Sequence, residues 1–586
     1  MNTPPRLGAL VEPDGVRFRV WAPAAERVDV VLGERSVPLD ATGDGYHEAF
    51  VGGAAAGDRY RLALDGGDPF PDPASRFQPE GVHGPSEVVD PGAFAWTDDS
   101  WTPPGLESLV VYELHVGTFT AEGTFDGVRE RLGALRELGV TAVELMPLAD
   151  FPGERGWGYD GAALYAPAHA YGRPDDLRRL VDAAHAEGLA VLLDVVYNHL
   201  GPDGAYVAAF GPVFTPRHET PWGQAMNLDD DGSRGVRDLF LDNARHWLEE
   251  YHLDGFRLDA THALVDDSDP HFLAELSAFV DGLTPPRLLI AEDHRNDARL
   301  VTPRPAGYGL DAVWADDLHH QVRNVLAGDT EGYYADFAGT TTAEIAETLR
   351  RGWFYDGRPT RRTGERRGTS AEGVRREQCV VCVQNHDQVG NRPTGARLHH
   401  EVSAAAFRAA TALLLVAPET PLLFMGQEWA TSAPFPFFSD HNAELGPLVT
   451  AGRKREFADF PGFSGEVPDP QAEGTFRSAV LDWSERDAPG HAHTLALTRA
   501  LLALRPALGD PAEATVEAAG DGALVLRRGG HVALVDLVGG AALGLPSGAH
   551  VVLSTESAAH APDPAPPRRE GGAVVFSRPG ALVARV

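Results

Sequence analysis

Asp254-Gly255-Phe256-Arg257-Leu258-Asp259-Ala260 follows a helical pattern and reads as a buried strand. Alternate strand residues face the same way, so Arg257 and Asp259 share a face near the strand's end. A guanidinium beside a carboxylate keeps the acid ionised, as a nucleophile must be. A structural ion pair fits the same residues equally well. The rest of the chain has to decide.

Outward from this stretch, strand and helix alternate. Leu109 to His115 is a strand, and Phe125, Val128, Leu132, Leu135 and Leu138 mark a helix at the three-and-four spacing. Val140 to Met146 is the next strand. A helix around Leu177 to Ala186 leads into Leu189 to Val196, and Val236, Phe240, Asn243 and Trp247 mark the helix before the opening stretch. Leu288 to Ala291, Ala312 to Trp314, Cys379 to Val383 and Leu422 to Met425 complete eight strands, and Leu495 to Leu508 reads as the last helix. Eight such units predict a (β/α)8 barrel. A doubly wound open sheet is the alternative, but no glycine-rich phosphate loop follows the first strand. Two excursions, 199–234 and 318–378, interrupt the alternation where barrel enzymes build their clefts.

Short alternating strands flank the barrel. Val16 to Trp21, Val28 to Leu32 and Tyr60 to Leu64 predict an immunoglobulin-like, carbohydrate-binding type of β-sandwich over residues 1–95. The barrel is expected over 96–510 and a second sandwich over 511–586, in keeping with about three or four domains for 586 residues. The net charge of −35 argues against nucleic acid and anionic membranes as partners. A neutral substrate suits such a surface. No signal peptide or membrane-spanning run is visible, and Cys379 and Cys382, which face opposite ways on one strand, read as core thiols, so a cytoplasmic protein is expected.

Most strands finish in polar residues. The third ends Asp194-Val195-Val196-Tyr197-Asn198-His199, the fifth Ala291-Glu292-Asp293 and the seventh Asn385-His386-Asp387. Carboxylates converging on one barrel mouth are what glycoside chemistry needs, one to attack or stabilise an oxocarbenium-like centre and one to protonate the leaving oxygen. A spacing of about 5–5.5 Å between Asp259 and Glu292 would make the mechanism retaining. The charge on Asp259 would raise the Glu292 pKa, as a general acid requires.

These four ordered stretches resemble the motifs of the α-amylase family of glycoside hydrolases. The resemblance implies Asp259 as nucleophile, Glu292 as general acid/base and Asp387 as the third carboxylate, holding the sugar 2- and 3-hydroxyls. It also implies that Arg257 positions Asp259, that His199 and His386 donate to the sugar in the cleavage subsite, and that the sugar stacks on Tyr159, beside Asp160. Asp194 and Asn198 match structural positions. Glu113 to Thr120, Ile290 to Asp293 and Gln384 to Arg392 are similar to the branch that cuts the α-1,4 bond beside a terminal trehalose. That branch implies malto-oligosyltrehalose and related α-1,4-glucan oligosaccharides as substrates, a malto-oligosyltrehalose synthase in the same pathway, a monomer, and neither metal nor cofactor. Glycogen branching enzymes are the rival, sharing the opening Glu-Leu-His-Val-Gly; Gln388 stands where they are expected to carry Glu. A barrel that only binds glucan is the rival of a different class.

Weaker signals remain. His262 and Trp222 are candidate contacts to the leaving sugars, and so are Trp353-Phe354-Tyr355, although loop packing accounts for such aromatics as well. Asp229-Asp230-Asp231 lacks calcium-loop spacing and reads as a solvated helix start. His319-His320 and His399-His400 lack metal spacing and are expected on the surface.

Overall fold

The computed structural model describes residues 4–458 and 467–586. At its centre eight parallel strands close into a barrel: Val111–Leu114, Ala142–Leu145, Ala190–Val195, Gly255–Leu258, Leu288–Glu292, Ala312–Trp314, Cys379–Cys382 and Thr420–Phe424, in sequence order around the ring. Every strand is packed from outside by helices and from inside by its neighbours' side chains, which is why the strands read as near-continuous apolar runs. Register places Asp194 beside Arg257, Arg257 beside Ile290 and Glu292 beside Trp314.

Seven strands from Gly8–Glu12 to Ser86–Glu87 form the amino-terminal sandwich, with Arg35–Gly43 changing partner strands between Leu39 and Asp40. The sandwich is fastened to the barrel. Arg76 makes a bidentate, buried bond to Glu250 at 2.9 and 2.7 Å, and Trp21 lies flat on the helix Ser233–Arg245. That approach requires Gly235, where a Cβ would stand 2.0 Å from the indole. The carboxy-terminal strands form sheets of five and three.

The buried Arg408, on the barrel helix Ala404–Val416, holds the carboxy-terminal part through both oxygens of Glu556 at 2.9 and 2.7 Å. Breaking one partner of such a pair strands the other charge in a dry interior. Glu556→Ala is therefore expected to cost about 3–5 kcal/mol in denaturant unfolding. A loss below ~1 kcal/mol would show the pair to be incidental.

Four local expectations change. The first helix is two pieces, Phe125–Arg129 and Leu132–Leu138, because a local break leaves the apolar stripe intact and so escapes the periodicity. The second excursion begins later than residue 318, since Asp317–Ala327 is a regular barrel helix, and the last helix is Pro489–Leu504 followed by a 3-10 turn. His319 and His320 are buried rather than superficial: His319 Nδ1 donates to the Val383 carbonyl and its Nε2 bonds the Tyr334 hydroxyl, and His320 stacks on Phe337. Trp353, Phe354 and Tyr355, by contrast, follow the loop-packing reading: they are buried within the second excursion and do not line the cleft.

Candidate active site

Arg257 is the hub of the barrel mouth. Its Nη1 donates to both oxygens of Asp194 at 2.9 Å and to Asp259 Oδ1 at 2.6 Å, and its Nη2 stands 3.7 Å from Glu292 Oε2. Trp314 supports the guanidinium face at 4.4 Å. One planar, always-charged fork thus reaches both acids expected to carry the chemistry. Asn198 Nδ2 donates to Asp259 Oδ2 at 2.7 Å and to its carbonyl at 2.9 Å, so Asn198 touches the carboxylate itself instead of merely shaping a strand end. After Asp259 the chain enters the left-handed region at Ala260, φ +40°, which a non-glycine residue occupies at a cost. The turn aims the Ala260 N–H at Glu292 Oε2, 2.7 Å away, leaving the other carboxyl oxygen without that bond.

A second chain of contacts crosses the mouth. Glu113, on the first strand, accepts from the His386 backbone N–H at 2.8 Å and bonds its Nδ1. His386 Nε2 meets the Tyr159 hydroxyl at 2.7 Å, and that hydroxyl donates to Asp194 at 2.5 Å. His199 is held by Asn198 and the Tyr159 carbonyl, with Trp222 stacked on it at 4.9 Å and 6°. Asp387 accepts from Asn391 at 2.5 Å, and Arg453 in turn donates to Asn391 at 3.2 Å. His262 packs edge-on against His294 and has no partner at Nδ1 among the described residues. Asp160 faces His441 at 3.3 Å.

The electrostatics separate the two acids. Burial would raise the pKa of Asp259, but the Arg257 charge, His199 and the Asn198 bond outweigh it and hold the carboxyl below its ordinary value. Burial drives Glu292 well above the usual range, and Asp259, Asp387 and Asp316 push the same way against Arg257. Two carboxyls with oppositely shifted affinities are the pattern of an ionised nucleophile beside a protonated acid. Burial lowers the His386 pKa, yet Glu113 more than compensates and favours the imidazolium.

Ten of the residues singled out from the sequence (Tyr159, Asp160, His199, Trp222, Arg257, Asp259, His262, Glu292, His386 and Asp387) line one cavity of about 890 Å³. Others line it that the sequence reading passed over: Asp316 and His320 after the sixth strand, Tyr333, Phe337 and Arg367 from the second excursion, and Phe437, Arg453 and Glu456 after the eighth strand. Glu113 carried a legible signal, a charged residue inside an apolar strand. Arg453 carried none. The Asp229 side chain is covered and bonds His218 at 2.9 Å and the Asp267 N–H at 2.8 Å, so its reading as a solvated helix start is corrected. His218, Asp229 and Asp267 lie close enough to share an ion, but Arg217, 3.8 and 3.1 Å from the two acids, already offsets part of their charge.

Comparisons with known proteins agree on the architecture. Residues 6–91 match the model of carbohydrate-binding module 48, the isoamylase N-terminal domain, and residues 88–211 that of the alpha amylase catalytic domain. The chain is 51% identical over 508 residues to the malto-oligosyltrehalose trehalohydrolase of Deinococcus radiodurans, covering 85% of this chain and 83% of that one. A 1,4-alpha-glucan branching enzyme of Corynebacterium jeikeium is 32% identical over only 53% of this chain and 49% of its own. Among solved structures, a Salmonella typhimurium protein named as an alpha amylase superposes with a TM-score of 0.90 at 38% identity, covering 99% of both chains.

Proposed function

Since the chain belongs to the malto-oligosyltrehalose trehalohydrolases, a branch of the α-amylase family of glycoside hydrolases, we propose that it hydrolyses the α-1,4-glucosidic bond adjacent to the terminal trehalose of malto-oligosyltrehalose, with retention of configuration, releasing trehalose and a malto-oligosaccharide. The observation that carries this reading is the single guanidinium of Arg257 within reach of both Asp259 and Glu292 in one sugar-sized cavity.

In the first step Glu292 gives its proton to the glycosidic oxygen while Asp259 attacks the anomeric carbon from the opposite face, forming a β-glucosyl ester. The trehalose leaves. Glu292, now ionised, takes a proton from water, which attacks the same carbon and releases the α-product. Arg257 and Asn198 keep Asp259 ionised and aimed. Asp387, steadied by Asn391, accepts the 2- and 3-hydroxyls, and Tyr159 supplies the stacking face. His199 and the His386 imidazolium donate to the same ring by exchanging their Nε2 bonds to the Tyr159 carbonyl and hydroxyl for bonds to the sugar. On the leaving side, His262 and Trp222 meet the departing sugars.

The partner that supplies such a substrate is an enzyme that builds the trehalose end, the malto-oligosyltrehalose synthase of the same pathway. A monomer in the cytoplasm is the state proposed for it. No helix among the described residues is long and apolar enough to cross a membrane.

The deciding assay offers the pure protein malto-oligosyltrehalose, plain malto-oligosaccharide and amylose. Free trehalose from the first substrate, as the newly cut chain appears in its α form by NMR, is the expected result. New α-1,6 branches without trehalose would establish the branching reading instead, and no reducing sugar from any substrate would leave a barrel that only binds glucan.

A further inference from the structure

Around the barrel mouth the acids follow strand order: Asp259 past the fourth strand, Glu292 ending the fifth, Asp316 past the sixth and Asp387 past the seventh. Asp316 and its neighbour Asp317 behave differently. Asp317 is fully used, accepting from Asn296, from the Phe354 and Tyr355 N–H groups and from Arg367. Asp316 points the other way and lines the cavity, where no hydrogen bond from the described residues reaches its carboxyl and no cation comes within ion-pairing distance. A carboxyl on a cleft wall with no protein partner has its bonding capacity open to water or to a bound ligand.

The sector in which it stands indicates which part of the ligand. The ring at the cleavage point is surrounded by Tyr159, His199, Asp259, His386 and Asp387, which come from the second, third, fourth and seventh strands and the loops after them. Glu292 delivers its proton to the oxygen that departs. The leaving side already marked by His262 and Trp222 extends, on this reading, past the fifth and sixth strands, and there it holds Asp316 with Arg367 beyond it. Burial, then the Asp387 and Asp317 charges, raise the Asp316 pKa to about 7, so its carboxyl both accepts from and donates to hydroxyls near neutrality.

We propose that Asp316 is a substrate-binding residue that holds hydroxyl groups of the departing trehalose unit and thereby helps to select a trehalose end over a maltose end. This rests on the trehalohydrolase reading above. In trehalose the second ring is joined through its anomeric carbon, in maltose through its 4-oxygen, so the two ends present different hydroxyls at a given point of the wall. A site built to bond a hydroxyl discriminates strongly against a ligand that leaves its polar group unpaired.

The test uses the full-length protein and Asp316→Asn, which keeps shape and removes the charge. The kcat/KM for malto-oligosyltrehalose is expected to fall on the order of 10- to 100-fold, chiefly through KM, and that for a plain malto-oligosaccharide of equal length by a clearly smaller factor. Calorimetric binding in the Glu292→Gln background, where no turnover intervenes, is expected to weaken by the same factor for malto-oligosyltrehalose alone. Asp316→Ser provides a second variant should the first fold poorly. Equal losses on both substrates, or unchanged binding with only a displaced pH–rate profile, would show that Asp316 acts through Glu292 and overturn the proposal. Failure of the wild-type protein to release trehalose would instead sink the trehalohydrolase reading itself.

Discussion

Glu292→Gln is expected to bind malto-oligosyltrehalose about as tightly as the wild type while kcat falls on the order of 10³- to 10⁴-fold. The amide keeps the bond from the Ala260 N–H but has no proton to give to the glycosidic oxygen. An α-glucosyl fluoride, whose leaving group departs without protonation, is expected to form the ester at a nearly wild-type rate in this variant, so the deficit appears in the water step. The pH dependence follows from the same group. Glu292 holds its proton well above the ordinary carboxylic range, so activity present near neutrality is lost as pH rises through its pKa. Asp259 is held below its ordinary value, so activity is lost on the acid side only when Asp259 takes up a proton. The wild type should therefore give a bell whose alkaline limb disappears in Glu292→Gln. A variant that retained both full turnover and that limb would remove Glu292 from the mechanism.

Asp259→Asn should be the more damaging change, on the order of 10⁵-fold in kcat, because no covalent intermediate can form and no water is placed to replace it. The effect is electronic as well as chemical. Arg257 would keep only Asp194 as a close counter-ion, and Asn198 would face an amide in place of a carboxylate oxygen. A fluorinated glucosyl fluoride that slows the second step should label the wild-type protein, with the adduct mapping to the peptide bearing Asp259, and leave the variant unlabelled. An adduct found on another carboxylate, Asp387 for instance, would reassign the nucleophile.

The sequence alone determined the barrel, because eight strands buried on both faces must be apolar throughout and the helices between them must carry a stripe at helical spacing. It also pointed to the three acids, Arg257 and the two histidines that the structure gathers on one cavity, since those residues sit at strand ends that match motifs of the α-amylase family. The helix break at residues 130–131 was hidden because the apolar spacing runs through it unaltered. His319 and His320 were misplaced for a related reason: a polar pair on a helix looks solvated until another segment covers it. Only the tertiary structure decided the wall of the cleft. Asp316, Tyr333, Arg367 and Arg453 come from segments far apart in the chain, and no local spacing says that they face one cavity. The same holds for the Glu113 bond to His386, 273 residues away, and for the turn at Ala260 that aims a backbone N–H at Glu292. Periodicity reports what a segment does with its own faces; which distant segments close on one sugar is settled by the packing of the whole barrel.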